Sequence, residues 1–86
     1  MTRTVTIFGE PWTLRHARLT KLCGDCNADK KTIRVAKGMS SELELDTVIH
    51  ECLHAAGWHI DEEFVGRFAT DVARILADLG YVRTDP

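Results

Sequence analysis

The chain has 86 residues, 44% of them apolar, and a net charge of −2. That length suits one small domain spanning residues 1–86 and excludes a large buried core. No apolar run approaches the roughly 20 residues of a membrane span, and no apolar leader segment is readable at the N-terminus, so a cytoplasmic protein with reduced thiols is expected.

Charge is unevenly placed. Residues 1–38 hold eight Lys/Arg and three Asp/Glu, whereas residues 39–86 hold three and ten. Such asymmetry can mark a nucleic-acid or acidic-partner surface. The simpler reading is a basic sheet complementing acidic helices within one domain.

In chain order, Val5 and Ile7, then Trp12 and Leu14, alternate with polar neighbours and predict two strands. Gly9-Glu10-Pro11 reads as the turn between them, and Leu19 to Leu22 as an extension of the second strand. Gly24 to Lys31 reads as a polar loop. Thr32 to Lys37 alternates again, with Ile33 and Val35 on one face. Ser41-Glu42-Leu43-Glu44 fits a capping box, so a helix is expected from Ser41 to about Ala56, stopped by Gly57. Leu45, Val48, Ile49, Cys52, Leu53 and Ala56 form its apolar stripe. A second helix starts at Asp61, a good N-cap, and ends at Gly80. Its apolar stripe is Phe64, Val65, Phe68, Val72, Ile75, Leu76 and Leu79. The expected fold is α+β: a small antiparallel sheet of about three strands followed by two helices.

The chemistry concentrates in His50-Glu51-Cys52-Leu53-His54, a His-Glu-x-x-His motif in the first helix. Residues four apart on a helix differ by about 40° in azimuth and about 6 Å along the axis, so two imidazoles can converge on one cation. Glu51 lies about 100° round from His50, where it flanks such a cation and can act as general base. Zinc suits this donor set, and it lowers the pKa of a bound water to about 7. A third ligand is needed. Glu62 lies nearest the packed face of the second helix and is preferred, with Glu63 and His59 as alternatives. The metzincin pattern fails, because Ile60 stands where its third histidine belongs.

The run from Leu45 to Ala55, with the acidic helix start that follows it, resembles small phage and bacterial zincins, the SprT-like and ImmA/IrrE-like metallopeptidases. The resemblance covers about residues 32–80. It implies a zincin fold with Zn2+ bound by His50, His54 and a glutamate of the next helix, and Glu51 as catalyst. It also implies a substrate peptide laid along an edge strand, here Ile33 to Ala36. The chain is shorter than most such peptidases, carries no zinc ribbon after the second helix, and has no His or Tyr at an assured oxyanion position.

Among the remaining residues, Cys23 and Cys26 form a single C-x-x-C, read as a turn with two incidental thiols; the other reading is a metal site shared between two copies. Cys52 is expected as a core thiol, Trp12 and Trp58 as core and rim aromatics, and His16 as structural. Lys30, Lys31, Arg34 and Lys37 cluster beside the presumed substrate strand. They read as a solvated edge, or as an attractor for acidic substrates or nucleic acid. SprT-like proteases act on DNA-bound proteins, so the resemblance adds DNA to the partners to be tested. The expected function is a zinc metallopeptidase acting on a protein or peptide substrate. The alternatives are a non-catalytic zinc-stabilised protein- or DNA-binding module and, more weakly, a basic nucleic-acid-binding factor.

Overall fold

A computed structural model describes residues 2–57 and 59–81, so Trp58 lies outside the described residues. It builds β1 (Thr2–Ile7), β2 (Glu10–Ala17), β3 (Gly24–Asn27), β4 (Thr32–Ala36), α1 (Ser41–Ala56) and α2 (Glu62–Asp78). The fold is α+β, but the sheet has four strands and is mixed, in the order β1-β2-β4-β3. β1 and β2 pair antiparallel, as do β3 and β4, whereas β2 and β4 run parallel.

The first hairpin turns at Phe8 and Gly9, both with positive φ (49° and 77°), and not at Gly9-Glu10-Pro11. Two consecutive left-handed residues give a turn whose twist matches that of the flanking strands. Glu10 and Pro11 therefore open β2, opposite Ile7 and Thr6. Pro11 is tolerated because β4 pairs with β2 only from Thr13 onward, so its missing N–H removes no rung there.

The segment read as a loop contains β3. Its polar sequence Gly-Asp-Cys-Asn suits an outer strand. Ile33, Val35 and Ala36 of β4 are all buried and take the inner position between β2 and β3. β2 stops at Ala17, so Leu19 to Leu22 do not extend it, and Leu22 is exposed. Alternation sends Trp12, Ile33 and Val35 into a core completed by Val5, Ile7, Leu14, Cys26 and Met39. By the same alternation the outer face carries Thr4, Thr13, Arg15, Arg34 and Asp25.

The layers stack as sheet, α1, then α2; among the described residues α2 packs on α1 and on no strand. α1 is therefore buried from two sides. Val48, Cys52 and Ala55 close the sheet core. Asp46 accepts a hydrogen bond from Thr70 of α2 (2.9 Å), and by helical angle Ile49 and Leu53 face α2 beside it. The single stripe expected for α1 is thus two faces, one for each neighbouring layer.

The N-cap of α1 is Ser40, whose Oγ accepts from the Leu43 N–H (3.3 Å), and not Ser41. Glu44, freed from the capping box, pairs instead with His16 Nε2 (2.7 Å) on the inner sheet face. Gly57 ends the helix as expected, and Asp61 caps α2 through the Phe64 N–H (3.0 Å).

The inner face of α2 is narrower than its apolar sequence. Val65, Ala69 and Ala73 are fully buried, while Phe64, Phe68, Ile75 and Leu79 are exposed. The small residues let the two helices approach closely. Ala69→Leu is expected to force them apart and to destabilise the chain by about 1–3 kcal/mol, the usual cost of overpacking. A thermal melt by circular dichroism checks this; an unchanged midpoint would mean that the interface has slack.

Candidate metal centre

His50 and His54 lie on the edge of α1 between its sheet face and its α2 face. Their rings meet edge-on, with centroids 4.8 Å apart and 69° between planes. Their Nε2 atoms are 3.2 Å apart. Glu62 reaches across from the first turn of α2, with Oε1 3.1 Å from His50 Nε2 and Oε2 2.8 Å from His54 Nε2. Among the described residues these three form the one His/Cys/Asp/Glu group with the spacing of a metal site. Two ligands at 2.0–2.1 Å from a tetrahedral zinc stand about 3.3 Å apart, so the imidazole pair matches a coordination shell closely. The carboxylate contacts, at 3.1 and 2.8 Å, are slightly shorter than the distance between the two imidazole nitrogens.

Glu62 reaches the site because of its place on α2. It falls by helical angle on the line of Val65, Ala69 and Ala73, one turn before them, and so points at α1. Its outer side remains 71% exposed, which leaves the centre open to solvent. Glu63 lies about 100° further round and pairs with Arg67 (3.2 Å). His59 is exposed in the connection between the helices and does not join the group. Of the three candidates for third ligand, the structure brings Glu62 alone to the histidines.

Glu51 is 8% exposed, on the sheet side of the same edge. Burial pushes its carboxyl above the ordinary range, while His50 and His54 pull it back down. It lines an open cleft of about 240 Å³ with Cys23, Gly24, Leu43, Asp46, Thr47 and His50. The cleft runs between α1 and the start of β3. Gly24 makes this approach feasible, since a Cβ there would stand 2.7 Å from the Thr47 methyl and 2.8 Å from the Arg34 carbonyl oxygen.

The cleft changes which strand borders the site. Ile33 to Ala36 cannot receive a peptide, because β4 is enclosed by β2 and β3 and its backbone groups are taken. The sheet edge beside Glu51 and His50 is β3. Sequence reasoning passed over Gly24, Thr47 and the Asp46–Thr70 bond. Asp46 stands one turn before His50, and that helical spacing was the signal available for it.

The other polar candidates are placed as follows. Lys31 pairs with Glu10 (2.6 Å) and lies over the Trp12 ring, and Arg34 forks onto Asp25 (Nε to Oδ1 2.9 Å), which holds that carboxyl below its usual value. Two of the four clustered cations are thus engaged by acids of the same chain, while Lys30 and Lys37 are exposed. Cys23 is exposed just before β3, whereas Cys26 packs on the core opposite Ile33. Cys52 is a core thiol whose ionisation burial pushes up. None of the cysteines belongs to the metal-type group.

No protein-family model matches the chain, and neither the curated proteins nor the solved structures compared with it give a match.

Two outcomes are expected. Zinc titrated into the chelated protein should bind at one equivalent and raise the melting midpoint, by an amount corresponding to about 2.7 kcal/mol at a hundredfold excess over Kd. His54→Ala and Glu62→Ala should weaken binding at least tenfold, and Glu63→Ala should leave it unchanged. Equal losses in the two glutamate variants would remove Glu62 from the site. Iodoacetamide at pH 7.5 should label Cys23 first, because burial lifts the Cys26 thiol to about 11. Mass spectrometry showing Cys26 labelled as fast as Cys23 would contradict its placement.

Proposed function

We propose that this chain is a metal-dependent peptidase of minimal zincin type, with zinc as its ion. The observation that carries the reading is the convergence of two imidazole nitrogens and one carboxylate beside a buried glutamate at the mouth of a cleft. Two imidazoles and a carboxylate are the donor set of open, catalytic zinc sites, and the exposed side of Glu62 leaves room for a further ligand. A zinc ion bound there supplies an acidified water and polarises a carbonyl.

The chain's own residues do the rest. Glu51 accepts a proton from a water in the cleft and returns it to the departing amine. Its buried carboxyl is suited to this, because a base tuned upward holds the proton long enough to pass it on. The outer edge of β3 would offer backbone groups to an extended peptide, and the cleft lined by Cys23, Leu43 and Asp46 would seat it beside His50.

Glu51→Gln should retain zinc at one equivalent and lose at least a hundredfold in the hydrolysis of fluorescein-labelled casein. Wild-type turnover that survives in this variant would exclude Glu51 as the base. Turnover unaffected by chelation would exclude the metal mechanism altogether.

A further inference from the structure

Among the described residues, the outer face of α2 is apolar and without a neighbour in the fold. Phe64, Phe68, Ile75 and Leu79 are 54%, 45%, 55% and 68% exposed. They are not scattered. At 100° per residue they fall within about 60° of one another and form one straight ridge along the helix. Phe64 and Phe68 are stacked, with centroids 5.7 Å apart and planes 7° from parallel, so part of the ridge is already ordered. Together the four leave roughly 400 Å² of apolar surface in water, the size of patch that marks interaction sites on small proteins.

We infer that this face pairs two copies of the chain, α2 against α2 in antiparallel sense. The spacing of the ridge supports the symmetry. Phe64 and Leu79 lie equally far from the point between Asp71 and Val72, and so do Phe68 and Ile75. A twofold axis through that point sets Phe64 against Leu79 and Phe68 against Ile75 of the second copy. Aromatic then meets aliphatic along the whole seam.

Charge selects the same arrangement. Arg67, Asp71, Arg74 and Asp78 flank the ridge on one side. In an antiparallel pair like flanks meet, and position runs in opposite directions on the two helices. Arg74 then stands about 3 Å along the axis from Asp71 of the other copy, and Asp78 about 3 Å from Arg67. The two Asp71 carboxylates approach each other at the axis, each with an Arg74 beside it. In a parallel pair the charged flanks would lie on opposite sides of the seam and form none of these contacts. The metal-type group is unaffected, since Glu62 points about 135° away from the ridge.

The area per chain is about half that of a standard stable interface, which places the pair among weak, exchanging dimers with Kd on the order of tens of micromolar. Sedimentation equilibrium of the full chain from 5 µM to 1 mM tests this. The average mass should rise from one chain towards two across that range. Phe68→Glu and Ile75→Glu should each stay monomeric at 1 mM, with circular dichroism unchanged because both positions are exposed. Asp71→Arg and Arg74→Asp should each weaken pairing at least fivefold, and the double variant should restore it. A wild-type chain monomeric at 1 mM would overturn the proposal, as would a dimer that survives Phe68→Glu. Pairing that the double charge variant fails to restore would overturn the antiparallel arrangement. A monomer whose ridge instead binds phosphatidylcholine vesicles, and loses them in Phe68→Glu, would reassign the face to a lipid surface.

Discussion

Everything in this fold depends on α1 having neighbours on two sides. A helix between a sheet and a second helix must present apolar residues on both of the faces it packs. Its polar chemistry can then leave by one edge only. Leu43, Asp46, Thr47, His50, Glu51 and His54 share that edge or border it, and it is there that the cleft opens. The histidines are held by the packing on either side of them.

The second consequence concerns α2. This helix touches α1 and no strand among the described residues, so its hold on the fold is one-sided. Close approach through Val65, Ala69 and Ala73 compensates for the narrow contact. It also sets the distance that Glu62 must span. A bulkier inner face would move the first turn of α2 outward by the width of a side chain, and a carboxylate on a short arm could not follow. Stability of the helix pair and geometry of the three-residue group are thus one property measured at two places.

Much of this was legible in the sequence, and the failures have physical causes. The His-Glu-x-x-His spacing places two imidazoles together on any helix, so the juxtaposition of His50 and His54 could be read from the chain alone. Helical boundaries were readable at Asp61 and Gly57, where cap and stop residues act locally. The sheet was harder. β3 has four residues, none strongly strand-forming, and exists because β4 offers it a free edge. Parallel pairing of β2 with β4 leaves no local signature, since it is decided by which strand is apolar enough for the inner place. Edge assignment failed with it, because a segment of three buried apolar residues reads equally as edge or interior. On α2 four of the seven residues read as the apolar stripe, Phe64, Phe68, Ile75 and Leu79, are exposed, and the buried Ala69 and Ala73 were not among the seven. The angle of Glu62 to the packed face depends on that distinction. Measured from Phe68 and Leu79 it is marginal, whereas measured from Val65 and Ala69 it is central.

The same layering bears on what a bound ion would do for the chain itself. Among the described residues three large side chains are fully buried, Ile33, Val35 and Val65, and the first two belong to the sheet layer. A core of that size leaves little stability in reserve. An ion held by His50, His54 and Glu62 would tie the start of α2 to the middle of α1, at the end of the helix pair opposite the exposed Leu79. Binding energy at such a bridge is folding energy, because the donors come from two elements that separate when the chain unfolds. Structural and catalytic roles for the ion are therefore not alternatives in a chain this small. What would distinguish them is the remaining coordination position, and the exposed Glu62 side chain leaves the three-residue group open to solvent on that side.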